Sequence, residues 1–163
     1  MIFREDEMCI RLYNHLEQKR GHDIVLPNFF LDDYECDLVK FHADGTVTEY
    51  EIKISIEDFK KDFTKKRKGK FKHKELAKGD LQPNYFYFVV PKGLINEKHV
   101  PRYVGLIEIS KTGSIKVLKK APILHLKPHK DPVSKYRDLA TKLSYREMTW
   151  RQKFNDLKNK KHE

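Results

Sequence analysis

Thirteen residues separate Asp37 from a Glu51-Ile52-Lys53 triplet, and an Asp44-Gly45 pair falls between them. Two carboxylates and an ammonium brought together suit a hard divalent cation held by oxygen ligands. The lysine is then placed to orient or deprotonate a water, or to stabilise developing negative charge. Electrostatics points the same way, since carboxylates about 4 Å apart repel by about 4 kcal/mol at an effective dielectric of about 20. Lys53 offsets part of that repulsion and a dication offsets more. Taken singly, each residue is ordinary decoration of a half-solvated strand, so the weight lies in the elements around them.

Runs rich in Val, Phe, Tyr and Ile on either side of an Asp-Gly dipeptide predict antiparallel strands over Tyr34 to Phe41 and Val47 to Ser55, joined by a tight turn. Alternation puts Glu49, Glu51, Lys53 and Ser55 on one face and Tyr50, Ile52 and Ile54 on the other. The apolar trio is expected to face a core and the Glu-Lys pair to face outward, beside Asp37 if the register allows. Ser55-Ile56-Glu57-Asp58 has the form of a capping box, so a helix should begin directly after the strand. Phe59 and Phe63 give that helix an apolar stripe, acids occupy its first turn, and Lys65, Lys66 and Arg67 crowd its end, matching the macrodipole. Upstream, Ile10, Leu12, Tyr13 and Leu16 predict another helix before Gly21, opened by the acids Glu5, Asp6 and Glu7.

The charge is concentrated. Between Lys60 and Lys78 lie ten Lys or Arg (Lys60, Lys61, Lys65, Lys66, Arg67, Lys68, Lys70, Lys72, Lys74, Lys78) against Asp62 and Glu75, which is eight of the ten net positive charges. Phe71 and His73 are interleaved. A solvated helix face normally mixes both signs, so a patch of one sign predicts a polyanion footprint. About six phosphate contacts would cost on the order of a thousandfold in affinity between 50 and 200 mM salt.

At 163 residues the chain has room for one domain, expected over residues 1–120. With 36% charged residues and a mean hydropathy of −0.75, its core should be modest. Tyr85 to Val90 is an apolar run closed by Pro91 and predicts a buried strand. Tyr103 to Ile109 and Ser114 to Leu118 flank a Thr112-Gly113 turn and predict a hairpin at the sheet's edge. Pro122, Pro128 and Pro132 make residues 121–132 a linker or a strap across the surface. Residues 133–163 predict an amphipathic helix with a basic tail, since Tyr136, Leu143, Trp150 and Leu157 recur every seven residues. Docking of that helix on the parent domain is favoured over a homodimer. The sequence shows no apolar run of membrane-spanning length and no signal-peptide pattern, so a soluble cytoplasmic protein is expected, with no membrane partner. Cys9 and Cys36 are too few for a disulfide framework or a zinc tetrad. His125 and His129 are four apart, yet Pro128 between them argues against a helical zinc pair.

In order, the chain reads helix with an acid, strand, strand bearing Asp37, strand bearing Glu51 and Lys53, basic helix, strand. That order resembles the PD-(D/E)xK nuclease superfamily, with its restriction-endonuclease-like α/β fold. The stretch EIKISIEDFKKDF, the Lys72-His73 pair and YFYFVVPKGLI are similar to phage and bacterial MmcB-like nuclease domains linked to DNA repair. The likeness covers roughly Glu5 to Ser110. It implies a Mg²⁺-dependent (or Mn²⁺-dependent) DNA endonuclease. Asp37 and Glu51 would hold the metal with the Ile52 carbonyl, Lys53 would be the catalytic lysine, and a first-helix glutamate would join them, Glu7 first in order and Glu5 next. Cys36 stands where the motif's name has proline. DNA contacts are expected from Lys60, Lys61, Lys65, Lys66, Arg67, Lys68, Lys70, Lys72, His73 and Lys74.

Two other readings share the basic patch. A module that binds nucleic acid without turning it over would have the same charge, and a protein directed to RNA would as well, because lysines register phosphate and not the sugar.

Overall fold

A computed structural model of the chain describes residues 4–19, 21–31 and 34–127, together with 142, 143, 146, 149 and 150. It divides into two units, Met1–Pro128 and His129–Glu163. The first unit is mixed α/β. Helix α1 (Glu5–Gln18) is followed by strands β1 (Ile24–Leu31), β2 (Tyr34–Phe41) and β3 (Val47–Ile52). Helix α2 (Ile56–Asp62), a two-residue hairpin of β4 (Lys66–Arg67) and β5 (Lys70–Phe71), and helix α3 (Lys72–Lys78) come next, before β6 (Tyr85–Pro91), β7 (Gly105–Ile109) and β8 (Ile115–Lys119). Six strands form one sheet in the order β1-β2-β3-β6-β7-β8. The pairs β3–β6 and β6–β7 are parallel and the others antiparallel.

Apolar spacing explains the layering. Met8 and Leu12 of α1, four apart, pack on one sheet face against Leu38, Tyr50, Ile52, Val89 and Ile107. Phe59 of α2 and Leu76 of α3 pack on the other face against Phe86, Phe88, Val90 and Leu106. The crossover from β3 to the parallel β6 carries α2 and α3, so both faces of β3 are covered and all six of its residues are buried. The Glu49, Glu51 and Lys53 face therefore does not meet solvent as alternation suggested. It lies under α2 and α3, because a parallel connection must lay its helices on the sheet.

Local signals act as the sequence implies. Ser55 Oγ accepts from Asp58 N at 3.1 Å and caps α2. The connection between β2 and β3 closes with His42 N donating to Thr46 O at 2.9 Å, Asp44 Oδ1 accepts from Thr46 N, and Gly45 supplies φ +86°. The helix expected to run from the Ser55 cap to about Arg67 is shorter. Helix α2 stops at Asp62, and Lys68 (φ +46°) with Gly69 (φ +80°) makes the two-residue turn of a short hairpin.

The proline-containing segment is a strap as far as it is described. Leu124 N donates to Asn84 O at 2.8 Å, and His125 Nε2 lies 2.7 Å from Leu81 O. Buried Asn84 accepts from Val47 N and donates to His125 O, which ties the strap to the ends where β3 and β6 begin. The predicted C-terminal helix, its basic tail and any homodimer through it lie outside the described residues, except that Lys142, Leu143, Arg146, Thr149 and Trp150 are helical. Among the described residues, no helix is long and apolar enough to cross a membrane.

Candidate functional site: a buried cluster of acids and lysines

The register of β2 on β3 pairs Leu38 with Tyr50, which carries Asp37 to the level of Glu51. There the ladder gives way to a side chain, with Asp37 Oδ2 accepting from Ile52 N at 2.6 Å. Lys53, the first residue past β3, keeps parallel pairing by donating its N–H to Val89 O and turns its ammonium back to Glu51 Oε1 at 2.9 Å. Asp37, Glu51, Ile52 and Lys53 thus meet where β3 ends, and parallel α/β sheets place ligands beyond the carboxyl ends of their strands.

Four further residues complete the cluster. Lys72 Nζ, buried at the start of α3, sits 2.7 Å from Glu49 Oε1 and 3.2 Å from Glu51 Oε2. Asp62, fully buried at the end of α2, lies 3.1 Å from Lys53 Nζ and 2.8 Å from Lys65 Nζ. Lys65 Nζ also contacts Glu51 Oε1 at 2.6 Å. Glu49, Glu51 and Asp62 are therefore matched by Lys53, Lys65 and Lys72, three charges against three. Unmatched burial of any one of them would cost several kcal/mol, on the order of the penalty for a lone buried ion. Burial by itself would raise Glu51, but Lys72, Lys53 and Lys65 outweigh it and hold the carboxyl below its ordinary range. Asp62 is likewise held far down, against burial, by its His73 hydrogen bond and the lysines. The same acids raise Lys65 and Lys72.

Asp37 behaves differently. Burial first, and the Glu51 carboxylate second, push it up to about 7, against the opposing pull of Ile52 N–H and Lys53. Glu5 adds to the rise. Cys9, one turn after Glu5 on α1, places its Sγ 3.7 Å from Asp37 O, so this face of the helix adjoins the site. Glu7 is held elsewhere, with its Oε1 accepting from Arg11 Nη2 at 2.6 Å. The helix acid whose charge reaches Asp37 is Glu5, the second in order from sequence.

Of the expected DNA-contacting residues, Lys72 and His73 are not surface groups. Lys72 is locked on the two glutamates. His73 Nε2 lies 2.7 Å from Asp62 Oδ2 and its Nδ1 lies 3.0 Å from Tyr103 Oη, with Phe63 and Phe88 against the ring. The break before α3 takes both off the basic face, because the first turn of that helix points inward. Arg67 and Lys70 lie 3.6 Å from Glu75. Lys60, Lys61, Lys66, Lys68, Lys70 and Lys74 remain exposed, and the ammoniums of Lys66 and Lys74 each stand 5.1 Å from the Phe71 ring centroid.

The residues missed from sequence are Asp62, Glu49, Tyr34 and Tyr103. Asp62 had a signal: three after Phe59 and one before Phe63, it falls on the apolar stripe of α2, where a lone acid needs a buried partner. Tyr34 Oη donates to Glu49 Oε2 at 2.7 Å and had none.

The oxygen donors are of the type a divalent ion takes, but both Glu51 oxygens already carry ammoniums. Asp37, Glu51 and the Ile52 carbonyl offer oxygen only, and the rise in Asp37 comes from its burial first and the Glu51 carboxylate second. Among the described residues, no group of three or more acid, histidine or cysteine side chains is gathered for a metal.

No family model and no curated protein matches this chain. A solved structure is similar: a Silicibacter pomeroyi protein of unknown function, SPO1766, with a TM-score of 0.63 and 16% identity, over 93% of this chain and 94% of that one. At that identity the likeness speaks to the fold alone.

Proposed function

We infer that the protein is a metal-dependent DNA endonuclease on a restriction-endonuclease-like core, of the phage or DNA-repair type. The observation that carries this reading is the meeting of Asp37, Glu51 and Lys53 at the end of β3, with Lys53 Nζ on Glu51 and Asp37 on the intervening Ile52 N–H. Asp37, Glu51 and the Ile52 carbonyl would hold Mg²⁺ or Mn²⁺, which when bound supplies Lewis acidity and a more acidic water. Lys53, fixed between Glu51 and Asp62, would orient a water or meet developing negative charge. The exposed lysines from Lys60 to Lys74 would track the backbone of DNA.

Nicking of supercoiled plasmid in Mg²⁺, Mn²⁺ and EDTA tests the reading. Metal-dependent nicking is expected, with loss in Glu51→Ala and Lys53→Ala and retained DNA binding in both. A second reading, a non-catalytic nucleic-acid-binding protein, is favoured by one observation: both Glu51 oxygens are already engaged by ammoniums. Equal plasmid binding with and without EDTA, and no cutting in either metal, would establish that alternative.

A further inference from the structure

Both oxygens of Glu51 carry lysines, Lys53 and Lys65 on Oε1 and Lys72 on Oε2. A dication can reach Glu51 only if one ammonium withdraws. The three are unequal in their freedom to leave. Each is held by a second buried acid, Lys53 and Lys65 by Asp62 and Lys72 by Glu49, but the side chains of Lys53 and Lys72 are only 4% and 5% exposed. The Lys65 side chain is 50% exposed and lies between α2 and the β4–β5 hairpin, beside Lys66 and the rest of the basic face.

The charge count calls for one departure, and exposure decides which lysine makes it. Glu49, Glu51 and Asp62 balance Lys53, Lys65 and Lys72. Adding a dication together with the Asp37 carboxylate leaves one positive charge too many in a buried site, and the departure of one lysine restores neutrality.

We propose that Lys65 is a displaceable counter-cation: it fills the metal's electrostatic place on Glu51 and Asp62 in the metal-free protein, and swings out toward substrate phosphate when the divalent ion binds. The proposal rests on the nuclease reading, for which it names a positioning residue outside the Asp-Glu-Lys motif. Because the same ammonium serves acids in one state and phosphate in the other, metal and polyanion favour each other's binding, as linkage requires of two ligands that select one state.

Titration of Mn²⁺ into nucleic-acid-free protein, read by the electron paramagnetic resonance signal of the free ion, tests it without turnover. Lys65→Met, which removes the competing charge, should bind Mn²⁺ about tenfold more tightly than wild type, within the usual range of coupled sites. Lys65→Arg and the remote Lys98→Met should stay near wild type. Acylation of wild-type amines, mapped by mass spectrometry, provides a readout that needs no variant. Labelling of Lys65 should rise severalfold on adding Mn²⁺ while that of Lys98 stays constant. Equal Mn²⁺ affinity in wild type and Lys65→Met, or unchanged Lys65 labelling on saturation, overturns the role of Lys65 and leaves the nuclease reading standing. Absence of Mn²⁺ binding in both proteins overturns the two together.

Discussion

Replacing Asp37 by Asn should flatten the dependence of stability on pH. Asp37 is pushed up from the ordinary 3.8 to about 7. Between those values the folded protein holds a proton that the unfolded chain has released, so stability falls as pH rises and stops falling above about 7. From pH 5 to pH 8 the titrating span is about two units, which at about 1.4 kcal/mol per unit gives a loss on the order of 3 kcal/mol in the metal-free protein. Glu51 and Asp62 are lowered and titrate below this window, and histidine effects are common to both proteins. The substituted amide cannot ionise, and its carbonyl oxygen can still accept from Ile52 N. Urea unfolding in EDTA at pH 5 and pH 8 should therefore show wild type losing about 3 kcal/mol more than Asp37→Asn. Saturating Mg²⁺ should shrink that excess by favouring the ionised carboxylate. An equal pH dependence in the two proteins would refute the burial of Asp37 and its crowding against Glu51.

Asp62→Asn should cost about 3–5 kcal/mol, because it leaves Lys53 and Lys65 with Glu51 as their one remaining acid and weakens the His73 hydrogen bond inside the fold; a urea midpoint within about 1 kcal/mol of wild type would contradict the buried network. Converting Lys60, Lys66 and Lys74 to Gln should lower the slope of log DNA affinity against log salt by up to about 3, at about 0.9 for each phosphate no longer neutralised. A fluorescence-anisotropy salt series giving parallel lines would remove the basic face as the binding surface.

Much of the framework was legible in the residues. The Asp44-Gly45 turn, the Ser55 cap and the apolar run of β6 are local signals, and each forms where local chemistry places it. Asp37 and Glu51 meet because hairpin register follows from turn position. What escaped is set by packing at a distance. Alternation along β3 reads as half-solvated, since nothing in six residues reveals that α2 and α3 return over the charged face. Lys72 and His73 look like members of a surface patch until the Lys68-Gly69 turn redirects the chain and sinks them. Asp62 reads as one negative charge among positives, although its place on the Phe59-Phe63 stripe is a helical pattern open to inspection.

The matched acids and lysines also bear on how this sequence is free to drift. Because Glu49 and Lys72, or Asp62 with Lys53 and Lys65, are tolerable in the interior only as sets, a lineage that discards one partner meets selection to discard the other, or to supply a new charge nearby. Substitution at these positions should be concerted across relatives, while the exposed lysines around Phe71 vary one at a time. Selection for folding alone would keep most of the ensemble in any descendant of this chain.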